Sequence, residues 1–137
     1  MKVTVNNKDY DLYFGLDFLD EIERKHSPTM EAEGQEFKIG TGGLPILEAK
    51  MNQYSQSALA DVLVAGTTTG PKKLNRREIE THFNNLTDDE FFQFYDDVLD
   101  EMGKSSTLRR AEKAQKRLNQ ANNPCLLYTS DAADEGL

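Results

Sequence analysis

Residues Thr87 to Gly103 read T-D-D-E-F-F-Q-F-Y-D-D-V-L-D-E-M-G. The stretch opens on a capping box: Thr87 accepts from the Glu90 amide while the Glu90 carboxylate reaches back to the Thr87 amide. It closes on Gly103, the residue best able to take a left-handed turn after a helix. At about 100° per residue, Phe91, Phe92, Phe94, Tyr95, Val98, Leu99 and Met102 share an arc of about 160°. Asp89, Glu90, Gln93, Asp96, Asp97, Asp100 and Glu101 fill the other side. The split predicts an amphipathic helix. An apolar arc this wide is expected to seat several neighbours or to keep a face for a partner.

Working outward, Asn75 and Glu78 repeat the capping-box pattern, and Ile79 and Phe83 follow one turn apart. Upstream, Ala58, Leu59, Val62, Leu63 and Ala65 carry a helix of small apolar residues started by Ser55 or Ser57. Gly66 to Pro71 ends it and reads as the clearest internal linker. Leu44, Ile46, Leu47, Met51 and Tyr54 carry the helix before that one, with Pro45 in its first turn.

The N-terminal segment alternates from Lys2 to Val5, turns at Asn6-Asn7 and resumes from Asp9 to Phe14, which predicts a β-hairpin. Leu16, Leu19, Ile22 and His26, with Phe18, predict a helix up to Ser27-Pro28. Glu31 to Gly34 reads as a polar loop, and Glu36 to Ile39 as a brief strand or an extended tether. The fold class is therefore mainly α: a small bundle of about five to six helices with an N-terminal hairpin. Residues 1–103 form the hairpin plus helical domain.

Downstream, Ser106 or Thr107 caps a last helix from Leu108 to about Ala121. Its apolar residues are few, Leu108, Ala111, Ala114 and Leu118, so the basic segment 104–124 is expected to pack weakly. Cys125 to Glu135, C-L-L-Y-T-S-D-A-A-D-E, is the in-frame translation of a transposase-type sequencing-library adapter. Residues 125–137 are accordingly set aside as non-native read-through. The native chain is expected to run to about Pro124 and beyond. Without that scar the single cysteine disappears, and with it any disulfide or thiolate-metal reading.

Of the 137 residues, 1–103 carry 10 basic and 20 acidic side chains, and 104–117 carry 6 basic and 1 acidic. An acidic body repels nucleic acid, while the basic segment does not. That segment lacks aromatic residues for base stacking, and it suits an acidic partner or the acidic ridge of the preceding helix equally well. No secretory h-region opens the chain and no run is long enough to span a bilayer.

No catalytic or cofactor-binding set emerges. His26 and His82 lie far apart with no nucleophile motif beside them, and read as structural or surface residues. Asp96, Asp97, Asp100 and Glu101 lack the loop spacing of a cation site and read as a solvated face. Gly40-Thr41-Gly42-Gly43 before a helix lacks the lysine of a P-loop and reads as a turn. The remaining candidates are partner contacts: Phe92 and Phe94 on the flanks of the aromatic arc, and Arg109, Arg110 and Lys113 on the basic segment.

The order of these pieces resembles the tail assembly chaperones of long-tailed, siphovirus-like phages and prophages of Gram-positive bacteria. The likeness runs from Tyr10 to about Lys116. It rests on the Y-x-L-x-F-G opening at Tyr10 to Gly15, the F-x-x-G turn at Phe37 to Gly40, the A-L-A-D-V-L-V-A-G helix, the acidic helix and the basic tail. The resemblance implies a non-enzymatic helical protein of the bacterial host cytoplasm, without cofactor, that binds the tape measure protein and is absent from the finished virion. It also implies a longer product made by ribosomal frameshifting, whose added domain recruits tail tube protein. Self-association is compatible with it. The alternative is a small nucleic-acid-associated regulator using residues 104–117, and a metal-dependent enzyme built on the acidic ridge ranks last.

Overall fold

Two consecutive asparagines with positive φ, Asn6 at 52° and Asn7 at 65°, close the first hairpin. This is the left-handed pair that a type I′ turn needs, and asparagine tolerates it better than most residues. The turn sets the register of β1 (Lys2–Val5) against β2 (Lys8–Asp11), with Val5 opposite Lys8 and Val3 opposite Tyr10. Val3, Val5, Tyr10 and Leu12 are thereby turned to one buried face. The computed structural model describes residues 1–26, 29–32, 35–38 and 42–122.

α1 (Leu16–His26) buries Phe18, Ile22 and His26, while Leu16, expected on the apolar face, is 71% exposed. Two short strands follow, β3 (Thr29–Ala32) and β4 (Gln35–Lys38), paired antiparallel as a second hairpin. This corrects the reading of Glu31 to Gly34 as a loop, since Glu31 and Ala32 are strand residues. It also decides between the alternatives at Glu36 to Ile39: residues 36–38 are strand. With Met30 and Phe37 as their only large apolar residues, the two strands give too weak a pattern to stand out in sequence.

α2 (Gly43–Met51) begins where the chain takes φ 87° at Gly42. Gly43 then approaches α1 so closely that a Cβ would sit 2.8 Å from the Ile22 carbonyl oxygen. Only glycine fits that contact. The Gly43 amide donates to the Glu23 carboxylate, so the protein's own acid sits at this helix start. Gly40 and Thr41 of the glycine-rich turn lie outside the described residues.

α3 (Gln56–Gly66) is the centre of the molecule. Ser55 caps it, its hydroxyl accepting from the Ala58 amide at 3.2 Å. Leu59, Val62 and Leu63 are fully buried, and α1, α2 and α4 all touch α3. A helix that beyond its first turn is apolar apart from one acid has little face to offer water, so it becomes the core rather than a lid on it. Its small residues admit close neighbours; a Cβ on Gly66 would sit 2.9 Å from Leu12 Cδ2. The expected linker after it is well tied. Thr67 is buried, its hydroxyl donating to the Leu63 carbonyl at 3.0 Å and accepting from the Leu74 amide at 3.0 Å.

α4 (Arg76–Asn84) and α5 (Asp88–Gly103) both start with complete capping boxes, Asn75 with Glu78 and Thr87 with Glu90. α5 buries only Tyr95, Val98 and Met102 of its apolar arc, so it is an outer helix rather than the hub. Gly103 departs from expectation. It is the last residue of α5, and Lys104 after it is right-handed at φ −88°, so no left-handed cap forms. The chain runs almost directly into α6 (Ser106–Asn122), for which Ser105 supplies the cap, rather than Ser106 or Thr107. The Ser105 hydroxyl also donates to the Phe14 carbonyl at 2.8 Å, pinning this corner to the end of the first hairpin. Leu108 is the one side chain of α6 buried among the described residues.

Candidate partner-binding surface

Tyr54 follows α2 with φ 57°, a conformation that is uncommon for a tyrosine and costs on the order of 1 kcal/mol or more. The strain places its ring on α5. The hydroxyl donates to Asp96 at 2.8 Å, and the ring meets Phe92 edge-on at 5.4 Å and Tyr95 at 5.0 Å. Asp96 pushes the Tyr54 hydroxyl pKa up, so the proton stays on the phenol.

Phe91 links this pair inward to Phe83, with ring centroids 5.2 Å apart. The result is an aromatic ridge whose outer members, Tyr54 at 41% and Phe92 at 47%, are exposed. Beside it runs a groove of about 600 Å³ lined by Phe83, Leu86, Asp88 and Phe91. Exposed aromatic side chains clustered beside acidic ones are what a protein contact uses, because rigid rings bury much area for little entropy.

Phe94 meets this cluster through Phe83, with ring centroids 6.5 Å apart, but does not line its groove. It is half-buried on the other flank of α5, stacked edge-on against His82 at 5.7 Å, beside a second groove against β1. Two residues apart on a helix means about 200° of rotation, so the two phenylalanines serve different faces. Arg109, Arg110 and Lys113 form a third location. All three are exposed on α6 on the side away from buried Leu108, and among the described residues none pairs with the acids of α5. Of the two sequence readings, docking on the acidic ridge is not what the described side chains of α6 do; among the described residues Lys104 alone reaches it, at 3.4 Å from Asp100 and 3.3 Å from Glu101.

Both histidines are engaged in contacts within the fold. His26 is buried with Nε2 3.0 Å from Asp61, and its pKa is pushed down by burial against the pull of that carboxylate. His82 Nδ1 accepts from the Asn6 amide at 3.2 Å, and burial lowers its pKa too. Asp61 itself went unnoticed in the sequence. Buried on α3, it binds Lys25, His26 and Arg76, joining α1, α3 and α4. The signal was available: one acid in an otherwise apolar helix needs partners. Among the described residues no group of three His, Cys, Asp or Glu is placed to hold a metal ion, and no helix is long and apolar enough to cross a membrane.

Glu48 on α2 faces Glu112 on α6 across a cleft floored by Met51, Met102 and Leu108. Burial, the Glu112 charge and a hydrogen bond to Glu112 push the Glu48 carboxyl up to about 7, against a weaker opposing pull from Lys116. A raised carboxyl pKa means that the folded state holds the proton longer than the unfolded one. Its stabilising effect is complete below the ordinary value of 4.5 and is lost as pH rises through about 7. Partial exposure to water reduces the full shift to roughly 1 kcal/mol. His26 and His82 act oppositely, because their lowered pKa values cost stability as pH falls below about 6.5. Glu48→Gln is therefore expected to leave stability near pH 4.5 unchanged and to raise it by roughly 1 kcal/mol at pH 8. Urea unfolding at the two pH values decides it; equal effects at both would show that Glu48 carries no shifted proton.

The fold defines a small α-helical bundle with β-hairpins, whose apolar side chains come to the surface along the two flanks of α5. A protein-family model described as phage tail assembly chaperone protein, TAC, matches residues 2–116. The chain belongs to the phage tail assembly chaperone family. No curated protein and no solved structure matches it significantly. Membership implies tail proteins as partners and lends no support to a nucleic-acid regulator.

Proposed function

We propose that this tail assembly chaperone binds the tape measure protein, a long helical client, and keeps it soluble while the tail tube forms around it. The observation that carries the reading is the Tyr54–Phe92 pair, two exposed aromatic rings held in place by a strained backbone and a hydrogen bond to Asp96. An amphipathic client helix lays its apolar stripe along the ridge, with its own basic residues toward Asp88 and Asp96. The protein acts without catalysis in the cytoplasm of the bacterial host and leaves before the virion is complete. The exposed basic face at Arg109, Arg110 and Lys113 offers a second contact to acidic stretches of a tail protein. A frameshifted product extended beyond α6 recruits tail tube protein.

Co-expression with the tape measure protein of the same phage tests the reading. Phe92→Ser is expected to reduce co-purified client by about tenfold or more, the loss of one central aromatic anchor. The unfolding midpoint should barely change, since Phe92 is 47% exposed. Phe94→Ser, on the opposite flank, reports separately on that face. If Phe92→Ser and Phe94→Ser proteins stay folded and hold as much soluble client as the unaltered chain, the aromatic contact is wrong.

A further inference from the structure

The second groove, about 600 Å³, lies between β1 and the acidic flank of α5. Its β wall is an edge strand. With Val5 opposite Lys8 across a two-residue turn, Val3 and Val5 direct their amides and carbonyls to β2. The Leu12 amide donating to the Met1 carbonyl at 2.7 Å continues that alternation. Lys2 and Thr4 must then turn theirs the other way, toward the groove. Asn6, next in that row, shows where the row points: its amide donates to His82 on α4 at 3.2 Å. Among the described residues nothing does the same for Lys2 or Thr4.

The opposite wall combines apolar and acidic groups: half-buried Leu86 and Phe94, and exposed Asp89, Glu90 and Asp97. We propose that the groove between β1 and α5 is a docking site for an extended, basic segment of another protein, which adds as a strand to the outer edge of β1. An extended backbone is required because only it can present amides and carbonyls at strand spacing to Lys2 and Thr4; a helix has already used its own. Side chains alternate across an added strand, so every second residue meets Leu86 and Phe94 and should be apolar. The others face out beside the carboxylates of Asp89, Glu90 and Asp97, which select lysine or arginine by charge. The site differs from the Tyr54–Phe92 ridge in position and in the conformation it takes, so it stands whether or not that ridge binds the tape measure protein.

A short capped peptide of alternating valine and lysine, titrated into the isotope-labelled full chain, tests the proposal. Saturable binding is expected, with the Lys2 and Thr4 amide signals among the most shifted. The same peptide N-methylated on alternate amides should bind about tenfold more weakly, because hydrogen bonds to the edge are lost while charge and side chains stay. Thr4→Pro should weaken the unmethylated peptide similarly, since the lost amide belongs to the outer row and not to the β1–β2 ladder. Thr4→Val should bind normally. Absence of saturable binding, equal binding of the methylated peptide, or shifts centred on Tyr54 and Phe92 would each overturn the assignment. The methylated peptide keeps the test decisive even if Thr4→Pro does not fold.

Discussion

Tyr95→Ala is expected to cost about 4 kcal/mol of folding stability, the size seen when a large aromatic leaves a closed core. Tyr95 is fully buried although it sits on an outer helix. Its ring touches Tyr54 at 5.0 Å and Phe91 at 5.8 Å, and its hydroxyl donates to the Ser55 carbonyl at 2.8 Å. Ser55 is the cap of α3, so this one side chain ties the acidic helix to the start of the central one. Burial pushes the phenol pKa up to about 12, with Tyr54 adding to the shift, so the donor is present throughout the neutral range. Tyr95→Phe keeps the ring and should cost only about 1 kcal/mol, one hydrogen bond. Urea unfolding of both variants measures the difference. A loss below about 1.5 kcal/mol for Tyr95→Ala would mean that α5 is not held through this residue.

Asp61→Ala is expected to cost about 3 kcal/mol. Asp61 is 5% exposed and receives Lys25 at 3.0 Å, His26 at 3.0 Å and Arg76. When the carboxylate goes, Lys25 and Arg76 can turn back to water, because their side chains are already 41% and 50% exposed. His26 cannot; it is 8% exposed and would keep a buried donor without its acceptor. Most of the loss is therefore the stranding of His26 rather than the value of the ion pairs. His26→Leu in the Asp61→Ala background should recover part of it, whereas Lys25→Ala in that background should recover none. Equal recovery by both, read from thermal unfolding midpoints, would contradict this division.

Much of this architecture could be read from short-range pattern. The capping boxes at Asn75 and Thr87 and the Asn6-Asn7 turn involve groups a few residues apart, whose geometry is settled before any tertiary contact forms. The helical periods of α1, α2 and α3 were legible for the same reason, although the α2 period runs on to Tyr54, which lies past the end of that helix with positive φ. The separation of Phe92 from Phe94 was legible too, in the helical step between them. β3 was not, and β4 was only one of two alternatives, because Met30 and Phe37 are the only large apolar residues among the eight that form the pair. Gly103 takes no left-handed cap, because glycine permits that conformation without requiring it, and Ser105 continues the chain into α6 instead.

What the sequence by itself determined is a mainly helical chain with an N-terminal hairpin and an acidic, aromatic helix near its end, since propensity, capping and amphipathic period are local. Tertiary structure decided which helix is central, that Asp61 clasps three helices, and that Glu48 on α2 confronts Glu112 on α6. It also divided the aromatic arc of α5 into a buried strip and two exposed flanks. Those outcomes depend on groups dozens of residues apart meeting in space, and burial, charge pairing and edge exposure act only after the chain has brought them together.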